Sequence, residues 1–373
     1  MTKIFITIPW FLPAFRAGGP VQSIANLVKE FHEDVEYFIF CSDTDLNGAA
    51  LQNIITGKWI QYNDYTKVWY AAHDKISDSL VKRVEEIKPD VIYIIGIYSW
   101  HFNIVPLLYC KAPKKILSTR GMLHPGALSQ KKWKKKIYLQ LFKLMEYHHK
   151  IQFHATDAEE SKYISNYFGK GTAIFTAGNF ANKIAMLPLV KKEVGALKMI
   201  SIALISPMKN ILMVLQVLDK MQGNIQYDIY GPVKDHDYLK LCKDQVKLLP
   251  QNIKVTWHGE LEPAGVADAL AGSHIFILPS KSENFGHAIY EALSAGRPVI
   301  TSYNTPWQNL MSSKAGINVC VQTSQELKNA IMFLTAMDNE EFGSWSRSSR
   351  KYAENAIDVE DIKEEYRKMF VAV

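Results

Sequence analysis

Two glutamates, Glu283 and Glu291, stand eight residues apart in SKSENFGHAIYEALSAGRP (residues 280–298). Glu283 lies in the polar loop KSEN, which follows the apolar run HIFILPS. Glu291 lies inside AIYEALSAG, a helical pattern closed by Gly296 with Pro298 just beyond. Eight residues of helix would set the two carboxyls about 12 Å apart. That is too far for an acid/base couple working on one bond. It suits two grips on one long ligand, because a carboxylate accepts two hydrogen bonds and can hold a vicinal diol. The helix N-terminus between them offers backbone N–H groups and the positive end of a dipole, which suits a phosphate. Taken singly, each glutamate has an ordinary reading: Glu283 as a helix cap, Glu291 as a solvated helix residue.

Such a strand–loop–helix unit needs a sheet to hold it. Short apolar runs alternate with helical patterns through both halves of the 373-residue chain. The runs are KIFITIPW, VEYFIFCS, VIYIIGIY, KILST and IQFHAT, then MISIALIS, IQYDIYG, IKVTWHG, IFILPS and RPVITS. Helical stretches fall between them at 21–31, 76–88, 211–221 and 286–295. Continuous apolar strands separated by helices imply parallel sheets buried on both faces. Two such series predict two doubly wound α/β domains, 1–180 and 181–355, joined near 178–198, with a C-terminal helix over 356–373 that packs back on the first. This architecture binds ligands at the carboxyl ends of its strands.

Composition excludes several classes. No stretch of about 20 apolar residues predicts a membrane-spanning helix. The N-terminal run, broken by Pro9, reads as a buried first strand rather than a leader. Cys41, Cys110, Cys242 and Cys320 lack zinc or disulfide spacing and read as reduced thiols in a cytoplasmic protein. Asp43 with Asp45, and Asp235 with Asp237, are Asp-x-Asp pairs in loops where Asp is a common turn residue. They are assigned no metal. There is no GxGxxG fingerprint after the first strand and no P-loop. The net charge is +6, and residues 1–180 hold all the excess, with 22 basic and 16 acidic residues. That half is expected to meet something anionic.

SENFGHAIYEALSAGRPVITS closely resembles the signature of the large retaining glycosyltransferase family 4: two glutamates with seven residues between, a Phe-Gly pair inside, and Gly-x-Pro-Val after. The resemblance implies a GT-B fold, with two Rossmann-like domains facing across a cleft. It also implies an acceptor-binding first domain and a donor-binding second domain. Glu283 would bind the transferred sugar, and backbone groups of Asn284, Phe285, Gly286 and His287 would contact sugar and phosphate. Glu291 would hold the ribose. PWFLPAFRAGGP resembles the family's opening Gly-rich loop, where Gly18 and Gly19 let backbone approach the donor diphosphate. ISIALISPMKN resembles the segment that carries an Arg and a Lys on the donor phosphates. Lys209 matches, whereas Leu204 stands in the Arg position. STRGMLHPGALSQKKWKKK resembles a segment of bacterial polysaccharide-building members. There Arg120 would offer a charge to acceptor or phosphate, and His124 would carry a proton or simply sit at the surface beside Pro125. Thr305, Pro306 and Trp307 match a further family feature without an assigned role.

The resemblance therefore implies retaining transfer of a sugar from a nucleotide-diphosphate sugar to a glycan or polyprenyl-linked saccharide, in cell-surface polysaccharide synthesis, without metal or other cofactor. A non-catalytic nucleotide- or glycan-binding partner of the same fold, or a sugar-nucleotide epimerase, remains the alternative. Residues 131–150 read equally as an ordinary surface helix or as a basic amphipathic helix. In the second reading it lies on an anionic membrane, peripheral on the inner face. Nucleic acid is not expected, since no stacking module accompanies the charge.

Overall fold

A computed structural model describes residues 1–129 and 132–371. Lys131 of the basic run and the last two residues of the expected C-terminal helix lie outside the described residues. The chain divides into unit 1, Met1–Phe180 with Asp358–Val373, and unit 2, Ala181–Ile357.

Unit 1 is built on an eight-stranded sheet. Its strands are β1 (Thr2–Thr7), β2 (Val35–Ser42), β3 (Trp59–Asn63), β4 (Thr66–Ala71), β5 (Val91–Ile95), β6 (Lys114–Ser118), β7 (Gln152–Ala155) and β8 (Ile174–Thr176). The order is β3-β4-β2-β1-β5-β6-β7-β8, parallel except for the β3–β4 pair. Alternation along each strand feeds two cores. Ile4 and Ile6 join one cluster with Tyr37 and Ile39. Phe5 joins the other with Phe38 and Phe40. Because both faces are covered, the strands read as unbroken apolar runs. The helix Val359–Phe370 completes the first of these cores: Tyr366 stacks on Phe180 at 5.4 Å and Phe370 meets Tyr93 at 5.3 Å.

Unit 2 carries β9 (Ala196–Ile202), β10 (Asn224–Tyr230), β11 (Ile253–Gly259), β12 (Ile275–Leu278), β13 (Val299–Ser302) and β14 (Gly316–Val319). The order is β11-β10-β9-β12-β13-β14, with every pairing parallel. Counted from its own first strand this is 3-2-1-4-5-6, the doubly wound order. The direction of winding reverses between β9 and β12, so the loops leaving those two strands diverge and open a crevice there.

Residues 181–195 form no helix or strand, yet they are pinned to the rest of unit 2. Arg297, fully buried, donates to the carbonyls of Pro188, Leu270 and Ala271. Arg350 donates to Ile184 and Ser294, and the Lys192 ammonium to Glu193, Thr335 and Met337. Leu270, Ala271 and Thr335 lie in the last turns of helices, so these cations also meet the negative ends of dipoles. Burial holds the Lys192 and Arg297 side chains below their ordinary pKa values, Lys192 against an opposing pull from the Asp338 carboxylate and Arg297 at about 10.

Candidate functional site

The crevice of unit 2 gathers residues from three loops. The loop after β9 makes a turn, Lys209 N–H to Ser206 O at 3.0 Å, before the helix Ile211–Leu218. The loop after β12 binds it, Lys281 N–H to Met208 O at 2.8 Å. The loop after β13 binds the second, since Glu283 N–H donates to Asn304 O at 3.1 Å and the Ser302 hydroxyl donates to Ser280 O at 2.5 Å. These cross-links fix the backbone from which the polar side chains project.

Lys209 and Glu283, 74 residues apart in sequence, meet here: Lys209 Nζ lies 2.5 Å from Glu283 Oε1. The same oxygen accepts from the Ser280 hydroxyl at 2.6 Å. The side chains are 19% and 11% exposed, so water screens the pair only in part. Both bonds fall on Oε1, and a carboxylate has a second oxygen with which to take a sugar hydroxyl. Glu283 is therefore tied to a cation rather than acting as a helix cap.

The helix His287–Ser294 starts at Gly286, whose φ of 79° is left-handed. A Cβ there would stand 3.0 Å from Ile289 Cδ1 and 3.4 Å from Trp307 Nε1. Trp307, which the sequence marked without a role, is buried and donates its indole N–H to Phe285 O at 2.6 Å. Its ring meets Phe285 edge-on at 5.3 Å. Asn318 holds the Trp307 carbonyl at 2.7 Å. Trp307 thus sets the angle at which Asn284, Phe285 and Gly286 enter the helix. Gly286→Ala is expected to destabilise the protein by about 1–2 kcal/mol, from backbone strain at positive φ and the displaced Ile289. A lowered denaturant midpoint at unchanged slope would show this; an unchanged midpoint would refute it.

Glu291 is not a solvated helix residue. It is 8% exposed, and its Oε1 accepts one long bond, 3.3 Å from Asn182 Nδ2. Burial pushes its carboxyl up to about 7, against a modest opposing pull from Asn182. A carboxyl kept dry with so little compensation is costly for the free protein, and well placed to accept from a diol.

Unit 1 also reverses its winding, between β1 and β5, and Gly18 and Gly19 leave β1 there. Gly18 has φ 70° and ψ −126°, a combination that residues with a side chain avoid. Its carbonyl accepts from Val21 and Gln22 as the helix Gly19–Glu30 begins. At Gly19 a Cβ would meet nothing within 4 Å, so that backbone is open to approach. Asp45 pairs with Arg16 at 3.3 Å and accepts from Leu46 N–H, while Asp235 caps the helix His236–Val246.

Arg120 differs from the expectation of an open cation. It is 8% exposed, with φ 48°, and its fork turns into the interior. One arm donates to Asn179 Oδ1 at 2.6 Å and the other to Tyr93 OH at 2.8 Å. Behind it lies His154, which the sequence reading missed. His154 Nδ1 accepts from the hydroxyls of Tyr93 (2.6 Å) and Ser118 (3.0 Å), and Nε2 donates to Ala177 O. Complete burial, with Arg120 nearby, holds this imidazole well below its ordinary pKa, hence neutral. Glu160, also buried, takes Thr119, Gly121 and Thr156. The loop that begins at Arg120 is thus anchored from below by a histidine and a glutamate about 35 and 40 residues downstream. His124 is half-buried, accepts from Gly126 N–H on Nδ1, and stands edge-on to Tyr163 at 5.3 Å. Burial lowers its pKa as well.

With this geometry in place, the comparisons with known proteins are specific. A family model described as glycosyl transferases group 1 matches residues 190–357. No curated protein matches the chain. Among solved structures, sucrose-phosphate synthase from Thermosynechococcus elongatus is similar at TM-score 0.74 and 16% identity, over 100% of both chains. HepE from Anabaena, in complex with UDP and glucose, is similar at TM-score 0.74 and 16% identity, over 100% of both chains. TarM from S. aureus, bound to fondaparinux, alpha-GlcNAc-glycerol and UDP, is similar at TM-score 0.71 and 14% identity, again over 100% of both. The chain has the two-domain α/β fold of GT-B glycosyltransferases. The stretch matched by the glycosyl transferases group 1 model lies within the second unit and includes both Lys209 and Glu283.

Proposed function

We propose that this chain is a retaining glycosyltransferase that moves a sugar from a nucleotide-diphosphate sugar to a glycan or lipid-linked saccharide, in the building of a cell-surface polysaccharide. One observation carries the reading: Lys209 and Glu283 meet where unit 2 reverses its winding, beside the N-terminus of the helix that holds Glu291. Glu283 grips the transferred sugar, and Lys209 with the helix N-terminus takes the diphosphate. Glu291 takes the ribose. Charge develops on the leaving diphosphate as the glycosidic bond breaks, and fixed cations and dipoles in a partly dry site stabilise it there. Unit 1 takes the acceptor. The solved complexes of HepE with UDP and glucose, and of TarM with UDP, support a uridine nucleotide as the first donor to try. No metal is needed in this reading, and the engagement of Asp45 with Arg16 and of Asp235 as a helix cap supports that.

Leu204, half-buried two residues past β9, brings no charge to the position where the resembled family carries an arginine. It favours a second reading, a nucleotide-sugar binder without turnover. Thermal shift across nucleotide sugars tests binding, since a ligand at 100 times its Kd adds about 2.7 kcal/mol. Release of nucleoside diphosphate on adding saccharide acceptors tests turnover, and in the proposed reaction EDTA leaves the rate unchanged. Binding without release under any acceptor would replace the transferase by the binder. A rate abolished by EDTA and restored by a divalent ion would overturn the metal-free mechanism.

A further inference from the structure

The helix Lys132–Leu144 in unit 1 has two apolar faces. Leu139 and Phe142 point inward and are 4% exposed, in one cluster with Phe153 and Phe168. Tyr138 anchors the same side through its hydroxyl, 2.5 Å from Ile97 O. The opposite side is not covered: Trp133 is 74% exposed, Ile137 59%, Leu141 52% and Leu144 79%. Positions 133, 137, 141 and 144 fall on one stripe of a helix with 3.6 residues per turn. Met145, just past the helix end, extends it at 52%. An amphipathic helix docked on a core shows one apolar face and hides it. This one hides a face and displays another.

The lysines accompany the displayed face. Lys134 projects beside the stripe, and Lys136 and Lys143 run along one flank; all three are exposed. Lys136 Nζ lies 5.9 Å from the Trp133 ring. The wider segment has the same character: residues 101–150 contain eleven lysines and arginines against a single acidic residue, Glu146. The +6 excess of the chain is therefore made here. Among the described residues no helix is long and apolar enough to cross a membrane. Exposed tryptophan and aliphatics flanked by lysines are the pattern of a helix lying in an interface, with its apolar stripe among acyl chains and its ammonium groups at phosphates.

We infer that the exposed stripe of the helix Lys132–Leu144 docks unit 1 onto an anionic phospholipid bilayer. The inference goes beyond the transferase reading and holds whether or not unit 2 transfers sugar. Charge decides between a bilayer and a second copy of the chain. Two such helices placed face to face would bring Lys134, Lys136 and Lys143 against their own kind, whereas an anionic leaflet neutralises them. Each lysine near such a surface is worth roughly a fivefold gain in partition.

The test is sedimentation of the full-length protein with vesicles of phosphatidylcholine alone and with 30% phosphatidylglycerol. Binding is expected to the second and to be at least tenfold weaker to the first, weakening as salt rises. Ile137→Ser with Leu141→Ser and Leu144→Ser, and separately Lys134→Glu with Lys136→Glu and Lys143→Glu, are each expected to reduce binding at least tenfold. These residues are exposed, so melting temperature and far-UV circular dichroism should match the wild type. A variant that fails this check is replaced by single Leu144→Ser or Lys136→Glu, expected to weaken binding at least about fivefold. Absence of binding to the anionic vesicles, or binding that neither variant set reduces, would overturn the proposal. A dimer in sedimentation velocity that the serine variants dissociate would overturn it too, by assigning the stripe to a second copy.

Discussion

Glu283→Ala is expected to lower turnover at least tenfold, and Lys209→Ala to do the same. Each removes one half of a pair whose partner is then left partly buried without its counter-charge. The loss has two parts that can be separated. Unpairing Lys209, which is only 19% exposed, costs stability of about 1–2 kcal/mol, well below the figure for a fully buried pair because water still reaches the site. The catalytic part arises from lost contacts to sugar and diphosphate, which grow as charge moves onto the leaving group. Glu283→Gln distinguishes them. It keeps the shape and an oxygen that can accept from both Ser280 and Lys209, so its melting temperature should fall less than that of Glu283→Ala while turnover falls as far. Because the two side chains act on one ligand as a unit, the double alanine variant should be within about threefold of the worse single. Near-wild-type turnover in both single variants would remove the site assignment altogether.

What made that pair legible in sequence, and what did not, follows from the physics of each element. Buried parallel strands announce themselves because both faces are covered; Ile4, Phe5 and Ile6 are all apolar though they serve two different cores. The β3–β4 hairpin escaped notice. WIQYN is half polar and lies at a sheet edge, where one partner strand and open solvent leave no continuous run. The short strands β8 and β14 escaped for lack of length. Glu283 stood out through its neighbours in the chain, but its contact with Lys209 depends on the topology that sets β9 beside β12. Arg120 looked like an available cation because sequence carries no sign of side-chain direction. A left-handed backbone at that residue and two distant partners, Tyr93 and Asn179, draw it inward. Its candidate role shifts from touching a ligand to holding the loop that precedes His124.

Glu291 gives the second large effect, and its sign can be worked out. The free carboxyl titrates near 4.5, whereas in the folded chain burial raises it to about 7. Between those values the folded state keeps a proton that the unfolded state has released. A raised acid therefore costs nothing below pH 4.5, and its penalty grows as pH rises through 7 and then levels off. At about 1.4 kcal/mol per pH unit of displacement, the penalty at pH 8 is about 3 kcal/mol. Glu291→Gln keeps the shape and cannot ionise. Without ligand it should melt with the wild type at pH 5 and higher than the wild type at pH 8, by roughly 5–10 °C for a domain of this size. With donor the gap should narrow, by about 1.4 kcal/mol for each tenfold of lost affinity. Ribose hydroxyls donate to an ionised carboxylate better than to an amide, so the variant should bind at least tenfold more weakly and gain less from ligand. The wild type would then carry a strained, half-protonated acid whose strain the nucleotide relieves. Parallel melting curves for wild type and variant across pH 5–8 would show that the carboxyl is not held under strain. Equal donor affinity would remove Glu291 from the ligand and leave it a costly residue of the core.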